Sequence, residues 1–151
     1  MPRYKLTIAY DGTDFCGWQK QEPPDPDNPS QRMTLRTVQG VVEETVREVL
    51  REKVILMGAS RTDSGVHALG QVAAFTSEPI EGKGIGWPEE RGTDAMVRAL
   101  NSKLPRDVLV MGAEIAAHDF NPIGGAVEKE YTYTIECGPV RPLWDRKYVF
   151  H

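Results

Sequence analysis

Residues 38–50 constrain the fold more than any other stretch. Val38, Val41, Val42, Val46, Val49 and Leu50 recur at helical spacing, while Glu43 and Arg47 pair on the other side. Five β-branched valines make a poor helix in isolation, so burial of the stripe against a sheet must supply most of its stability. Thr37 can cap its start. A chain with such a helix needs strands, and period-two patterns supply them. Tyr4, Leu6, Ile8 and Tyr10 alternate with Lys5, Thr7 and Ala9, which predicts a strand with one buried face.

After the turn Asp11-Gly12-Thr13-Asp14, Phe15 to Gln19 reads as a short return strand whose aromatics cover the core edge, with Gln19 and Lys20 facing solvent or ligand. Prolines 23, 24, 26 and 29 make residues 21–36 an exposed loop. Val54 to Met57 is a continuous apolar run, which predicts a strand covered on both faces. Leu69 to Thr76 reads as the next strand, with Gln71 its main polar member. Residues 78–92, rich in Gly and Pro, form a second exposed loop that Trp87 pins to the body. Thr93 caps a helix through Lys103 that Pro105 ends, and Val108 to Ile115 is a strand. Tyr131, Tyr133, Ile135 and Cys137 alternate with Thr132, Thr134 and Glu136 in the cleanest strand pattern of the chain, and another strand opens at Lys147.

The order is strand, helix, two strands, helix, two strands. It predicts an α+β domain over residues 1–151: a mainly antiparallel sheet with two helices on one face, ferredoxin-like in arrangement. A length of 151 residues suits one domain or a large piece of a bigger protein. The strand opening at Lys147 so near His151 favours the second.

Composition excludes several function classes. The apolar runs are too short to span a membrane, and Met1-Pro2-Arg3-Tyr4 enters a strand at once, leaving no room for a secretory signal. The expected location is the cytoplasm, with no membrane partner. Cys16 and Cys137, in apolar contexts, read as reduced thiols, and His67, His118 and His151 lack ligand spacing, so no metal is expected. A formal charge of −4 carries no overall basic footprint for nucleic acid. Net charge averages over faces, however, and Glu43, Glu44, Glu48 and Glu52 read as the solvated side of one helix.

Between the neighbouring strands expected at 54–57 and 69–76 lies Ala59-Ser60-Arg61-Thr62-Asp63-Ser64-Gly65-Val66-His67-Ala68. A carboxylate flanked by Arg61, Thr62 and Ser64 on a loop carried by strands can be ionised, oriented and open to a ligand. The same residues also suit an ordinary turn. Ser64, His67 and Asp63, as neighbours on one loop, do not converge as a hydrolase triad.

Taken together, Tyr10-Asp11-Gly12-Thr13, Gly17-Trp18-Gln19, Val38-Gln39-Gly40, Arg61-Thr62-Asp63-Ser64-Gly65-Val66-His67-Ala68, Gly70-Gln71-Val72, Leu104-Pro105 and Lys129-Glu130-Tyr131-Thr132-Tyr133 resemble the TruA-type tRNA pseudouridine synthases. The resemblance runs in order along nearly the whole chain. It implies a pseudouridine synthase type of fold and the isomerisation of uridine to its C-glycoside isomer in the anticodon stem-loop of tRNA, at the family's positions 38–40. It implies a homodimer without a cofactor. It makes Asp63 the essential catalytic residue, Arg61 a group that holds the target nucleotide, and Tyr131 the ring that stacks on uracil. Both Tyr131 and Tyr133 can otherwise be read as core, and His67 as a hydrogen-bonded structural residue.

This sequence departs from the family pattern in places. Ser60 and Ser64 replace a usual Gly and Ala, Asn121-Pro122-Ile123 stands where His-Ala-Arg is common, and the loop after Glu22 is long. The family's second half, with an Arg that pairs with the catalytic Asp, is not in these 151 residues. The alternative reading is a catalytically silent RNA-binding module. A glycosidase, which needs two carboxylates, finds no second acid in a compelling setting.

Overall fold

The computed structural model describes residues 1–78 and 85–151. Its regular elements are β1 (Arg3–Tyr10), α1 (Val38–Leu50), β2 (Met57–Gly58), β3 (Ala68–Thr76), α2 (Thr93–Asn101) and β4 (Val108–Ala116). The strands form one sheet in the order β2-β3-β1-β4, every neighbouring pair antiparallel. This is the expected ferredoxin-like α+β arrangement. It places β1 and β3 at the centre, with Leu6 opposite Ala73 and Tyr4 opposite Phe75.

Alternation along β1 sorts its side chains. Tyr4, Leu6, Ile8 and Tyr10 are buried in one core with Val38, Val42, Val46 and Leu50 of α1 and Met96 and Leu100 of α2. Both helices therefore cover one face, and the valine stripe finds the sheet it requires. Thr37 caps α1 as expected, its hydroxyl accepting from the Gly40 N–H at 3.3 Å. Trp87 does pin its loop: it is buried, and its carbonyl accepts from the Tyr4 hydroxyl at 2.8 Å. The part of that loop at residues 79–84 lies outside the described residues.

Several expectations are corrected. Residues 15–19 do not make a return strand. Gly12–Asp14 is a 3₁₀ turn, and the Cys16 and Trp18 N–H groups then donate to different segments, the carbonyls of Arg36 and Thr62. Phe15 and Trp18 are nonetheless buried. The run 54–57 is not covered on both faces: Val54 and Leu56 are buried, but Ile55 is 76% exposed, because this is the sheet edge and only Met57 and Gly58 pair with β3. Gly92, not Thr93, sits at the N-cap of α2, and the helix ends at Asn101.

The largest correction concerns the last 30 residues. Among the described residues, Tyr131 to Cys137 and the stretch from Lys147 form no ladder beyond one bridge between Ile135 and Phe150. A strand needs both a paired edge and a covered face, and Tyr133 is 85% exposed. This segment instead lies over the face of the sheet opposite the helices, where Phe120, Pro122, residues 125–132, Thr134 and Tyr148 help line a cleft of about 1060 Å³.

Candidate active site

The loop between β2 and β3 is held from three sides. From the strand side, the amide of buried Gln71 donates to the Ser60 carbonyl at 2.7 Å. From below, the Tyr10 hydroxyl meets the Thr62 hydroxyl at 2.7 Å. The third side is the segment after β1: Trp18 N–H donates to the Thr62 carbonyl at 2.9 Å, and the Phe15 carbonyl accepts from Gly65 N–H and from the Ser64 hydroxyl at 3.0 Å. Gly17 permits this approach. Its φ is +83°, and a Cβ there would stand 2.7 Å from the Thr62 carbonyl oxygen. A polar loop tied at so many points is a rigid platform rather than a free turn.

Asp63 projects from the platform and is exposed. With Arg61, Thr62 and Ser64 it lines a depression of about 380 Å³, whose other wall is Cys16, Gln19, Gln21 and Leu35. That volume lies near the lower end of the range for small-molecule sites, about 300–1,000 Å³. Arg61 is exposed too, and among the described residues no ion pair joins it to Asp63.

Tyr131 is 64% exposed, so the core reading of it and of Tyr133 is overturned. Its hydroxyl reaches the Ser60 hydroxyl at 3.4 Å, but its ring lines the larger cleft and not the Asp63 depression. Thr62 belongs to both. The structure thus brings Asp63 and Arg61 into one depression and leaves Tyr131 on the far side of the loop.

His67 has the structural role expected of it. Its Nδ1 lies 3.1 Å from both the Gly12 N–H nitrogen and Asp11 Oδ1, and its Nε2 lies 3.0 Å from the Lys147 carbonyl oxygen. Asp11 adjoins it. The Thr13 hydroxyl, then the Tyr148 hydroxyl at 2.7 Å, hold the Asp11 carboxyl well below the ordinary carboxylate range, and Asp11 in turn raises the Tyr148 phenol. Among the described residues no three His, Cys, Asp or Glu side chains gather as a metal site.

The sequence patterns misplaced one group: Glu43 pairs with Arg47 as expected, but not on a solvated face. Glu43, expected on the solvated side of α1, is 3% exposed. It binds Lys20 at 2.8 Å, Arg47 at 2.7 Å and the Leu56 N–H at 2.9 Å. The only signal for it is the spacing of Gln39, Glu43 and Arg47, four residues apart along one stripe of the helix.

A family model described as tRNA pseudouridine synthase matches residues 6–122, most of the chain. The chain belongs to the tRNA pseudouridine synthase family. It is 40% identical to tRNA pseudouridine synthase A 2 of Clostridium perfringens over all of its length and 53% of the relative's. It is 41% identical to tRNA pseudouridine synthase A of Maridesulfovibrio salexigens, over 99% of its length and 48% of that protein. The chain therefore spans about half the length of these synthases. No helix among the described residues is long and apolar enough to cross a membrane.

Proposed function

We propose that this chain is the Asp63-bearing part of a tRNA pseudouridine synthase that isomerises uridine in the anticodon stem-loop, at tRNA positions 38–40, as a cytoplasmic homodimer without a cofactor. The observation that carries the reading is the single exposed carboxylate on a loop fixed from three sides, within a chain of this family.

The chemistry breaks the bond from ribose C1′ to uracil N1, turns the base and joins C1′ to C5. Asp63 is suited to it as a carboxylate that adds at C1′ while the bond to N1 breaks with its electron pair to uracil, or that adds at uracil C6. As C1′ joins C5, its bond to Asp63 breaks with the electron pair returning to the carboxylate, or on the other route Asp63 is eliminated from C6 afterwards, and in both the C5 proton leaves to a base. Arg61, which lines the same depression, would hold the target nucleotide out of the stack, a role that base-flipping chemistry requires of some side chain. Tyr131 would stack on uracil only if its segment moved to the Asp63 side of the loop.

The full-length protein is expected to release tritium from C5-labelled uridine in a tRNA transcript, and none from a transcript carrying cytidine at positions 38–40. Equal release from both would overturn the anticodon assignment. The separation of Tyr131 from the Asp63 depression favours one rival for residues 1–151 alone, a silent RNA-binding module. Tight tRNA binding by that fragment without isomerisation supports the rival for the fragment.

A further inference from the structure

Three side chains on one stripe of α1 satisfy backbone groups that a neighbouring strand would otherwise take. Gln39 Nε2 donates to the Leu56 carbonyl at 2.8 Å, and Glu43 Oε2 accepts from the Leu56 N–H at 2.9 Å. The Arg47 guanidinium donates twice to the Val54 carbonyl, at 3.0 and 2.8 Å. The ladder thus replaces a β-partner for the strand entry that leads through β2 into the Asp63 loop.

The same residues hold the other support of that loop. Gln39 Oε1 accepts from the Lys20 N–H at 2.9 Å, and Glu43 Oε1 binds Lys20 Nζ at 2.8 Å. Gln39 N–H donates to the Trp18 carbonyl, and Trp18 N–H in turn donates to Thr62, the residue before Asp63. Gln39 therefore spans both segments with one amide, and Glu43 spans both with one carboxylate. A carboxylate this deeply buried is retained only with its partners in place, which fixes the spacing of the two segments.

We propose that Gln39 and Glu43, locked by Arg47, are positioning residues: they join the Lys20 and Leu56 segments and so set where the Asp63 carboxylate stands. The proposal rests on the catalytic reading of Asp63. Neither side chain lines the Asp63 depression, so they act through the loop and not on substrate.

The test uses the full-length protein and Gln39→Met, which keeps the length of the side chain and removes both of its hydrogen bonds, with Glu43→Gln as a second variant. In Gln39→Met, kcat for tritium release from C5-labelled tRNA is expected to fall on the order of 10- to 100-fold, with KM within about twofold. Amide exchange at Trp18 and Gly65, which are bonded to Thr62 and Phe15, is expected to quicken while that of Leu6 and Ile8 in β1 does not. Glu43→Gln, which retains the Leu56 contact, is expected to show the same changes to a smaller degree. A merely structural role would instead lower the folded fraction and leave kcat per folded molecule and loop exchange as in wild type, and that result overturns the proposal. Asp63→Ala is run beside them. Its retention of activity would defeat the catalytic reading, whereas loop exchange reports on the ladder independently of any turnover.

Discussion

Replacing Gly17 by Ala tests whether the platform beneath Asp63 is set by backbone contact. Gly17 has φ +83°, where an L side chain costs about 1–2 kcal/mol. Its new Cβ would stand 2.7 Å from the Thr62 carbonyl oxygen and 3.3 Å from the Asp63 carbonyl carbon, both backbone atoms that yield only if the loop moves. A shift of a few tenths of an ångström strains the Trp18 N–H to Thr62 bond of 2.9 Å, worth about 0.5–1.5 kcal/mol. The expected loss is about 1.5–3.5 kcal/mol, with a fall in kcat on the order of 10- to 100-fold as Asp63 is displaced. Gly65 provides the control, since its φ is +80° but a Cβ there meets nothing within 4 Å. Gly65→Ala should show only the dihedral cost of about 1–2 kcal/mol. Urea unfolding of the full-length protein, followed by fluorescence of the buried Trp18, and single-turnover tritium release measure both effects. Equal losses in the two variants, or wild-type behaviour in Gly17→Ala, would refute the contact argument.

The core and the Asp11 cluster carry further expected outcomes. Val46→Ala on α1 removes a fully buried side chain whose burial is worth about 1.5–3 kcal/mol, while better helix propensity returns at most about 0.7. Urea unfolding should therefore show a net loss, whereas Val49→Ala, at a half-buried position, should be close to neutral. Asp11→Asn should lower the Tyr148 phenol pKa toward its ordinary value near 10, read by ultraviolet absorbance in alkaline titration. In the other direction, Tyr148→Phe should raise the Asp11 pKa, read by carbon NMR of its carboxyl. Because the folded Asp11 pKa is depressed, its contribution to stability is present above about pH 4 and is lost as pH falls through its folded value.

The fold was legible where pattern and burial agree. Tyr4 to Tyr10 alternates because one face of β1 meets the helices, and the valine stripe of α1 could be stable only against such a sheet. Tyr131 to Cys137 has an equally clean alternation, yet among the described residues nothing pairs with it as a ladder. Local pattern states what a segment can bury, not whether a partner is there to bury it. Asp63 and Arg61 stood out through an ordered set of motifs, and the structure puts both in one depression. The Gln39 and Glu43 ladder was not legible, because a glutamate at a helical surface position looks solvated until the tertiary fold brings Lys20 and Leu56 to it.

Asp63 is proposed to carry the chemistry. The direct measurement is tritium release from C5-labelled uridine in tRNA by full-length wild-type protein and by its Asp63→Ala variant, with tRNA affinity measured in parallel. The variant is expected to show no detectable turnover and an affinity within several-fold of wild type, because Asp63 is exposed and, among the described residues, its side chain makes no ion pair. Turnover by Asp63→Ala at the wild-type rate would contradict that proposal.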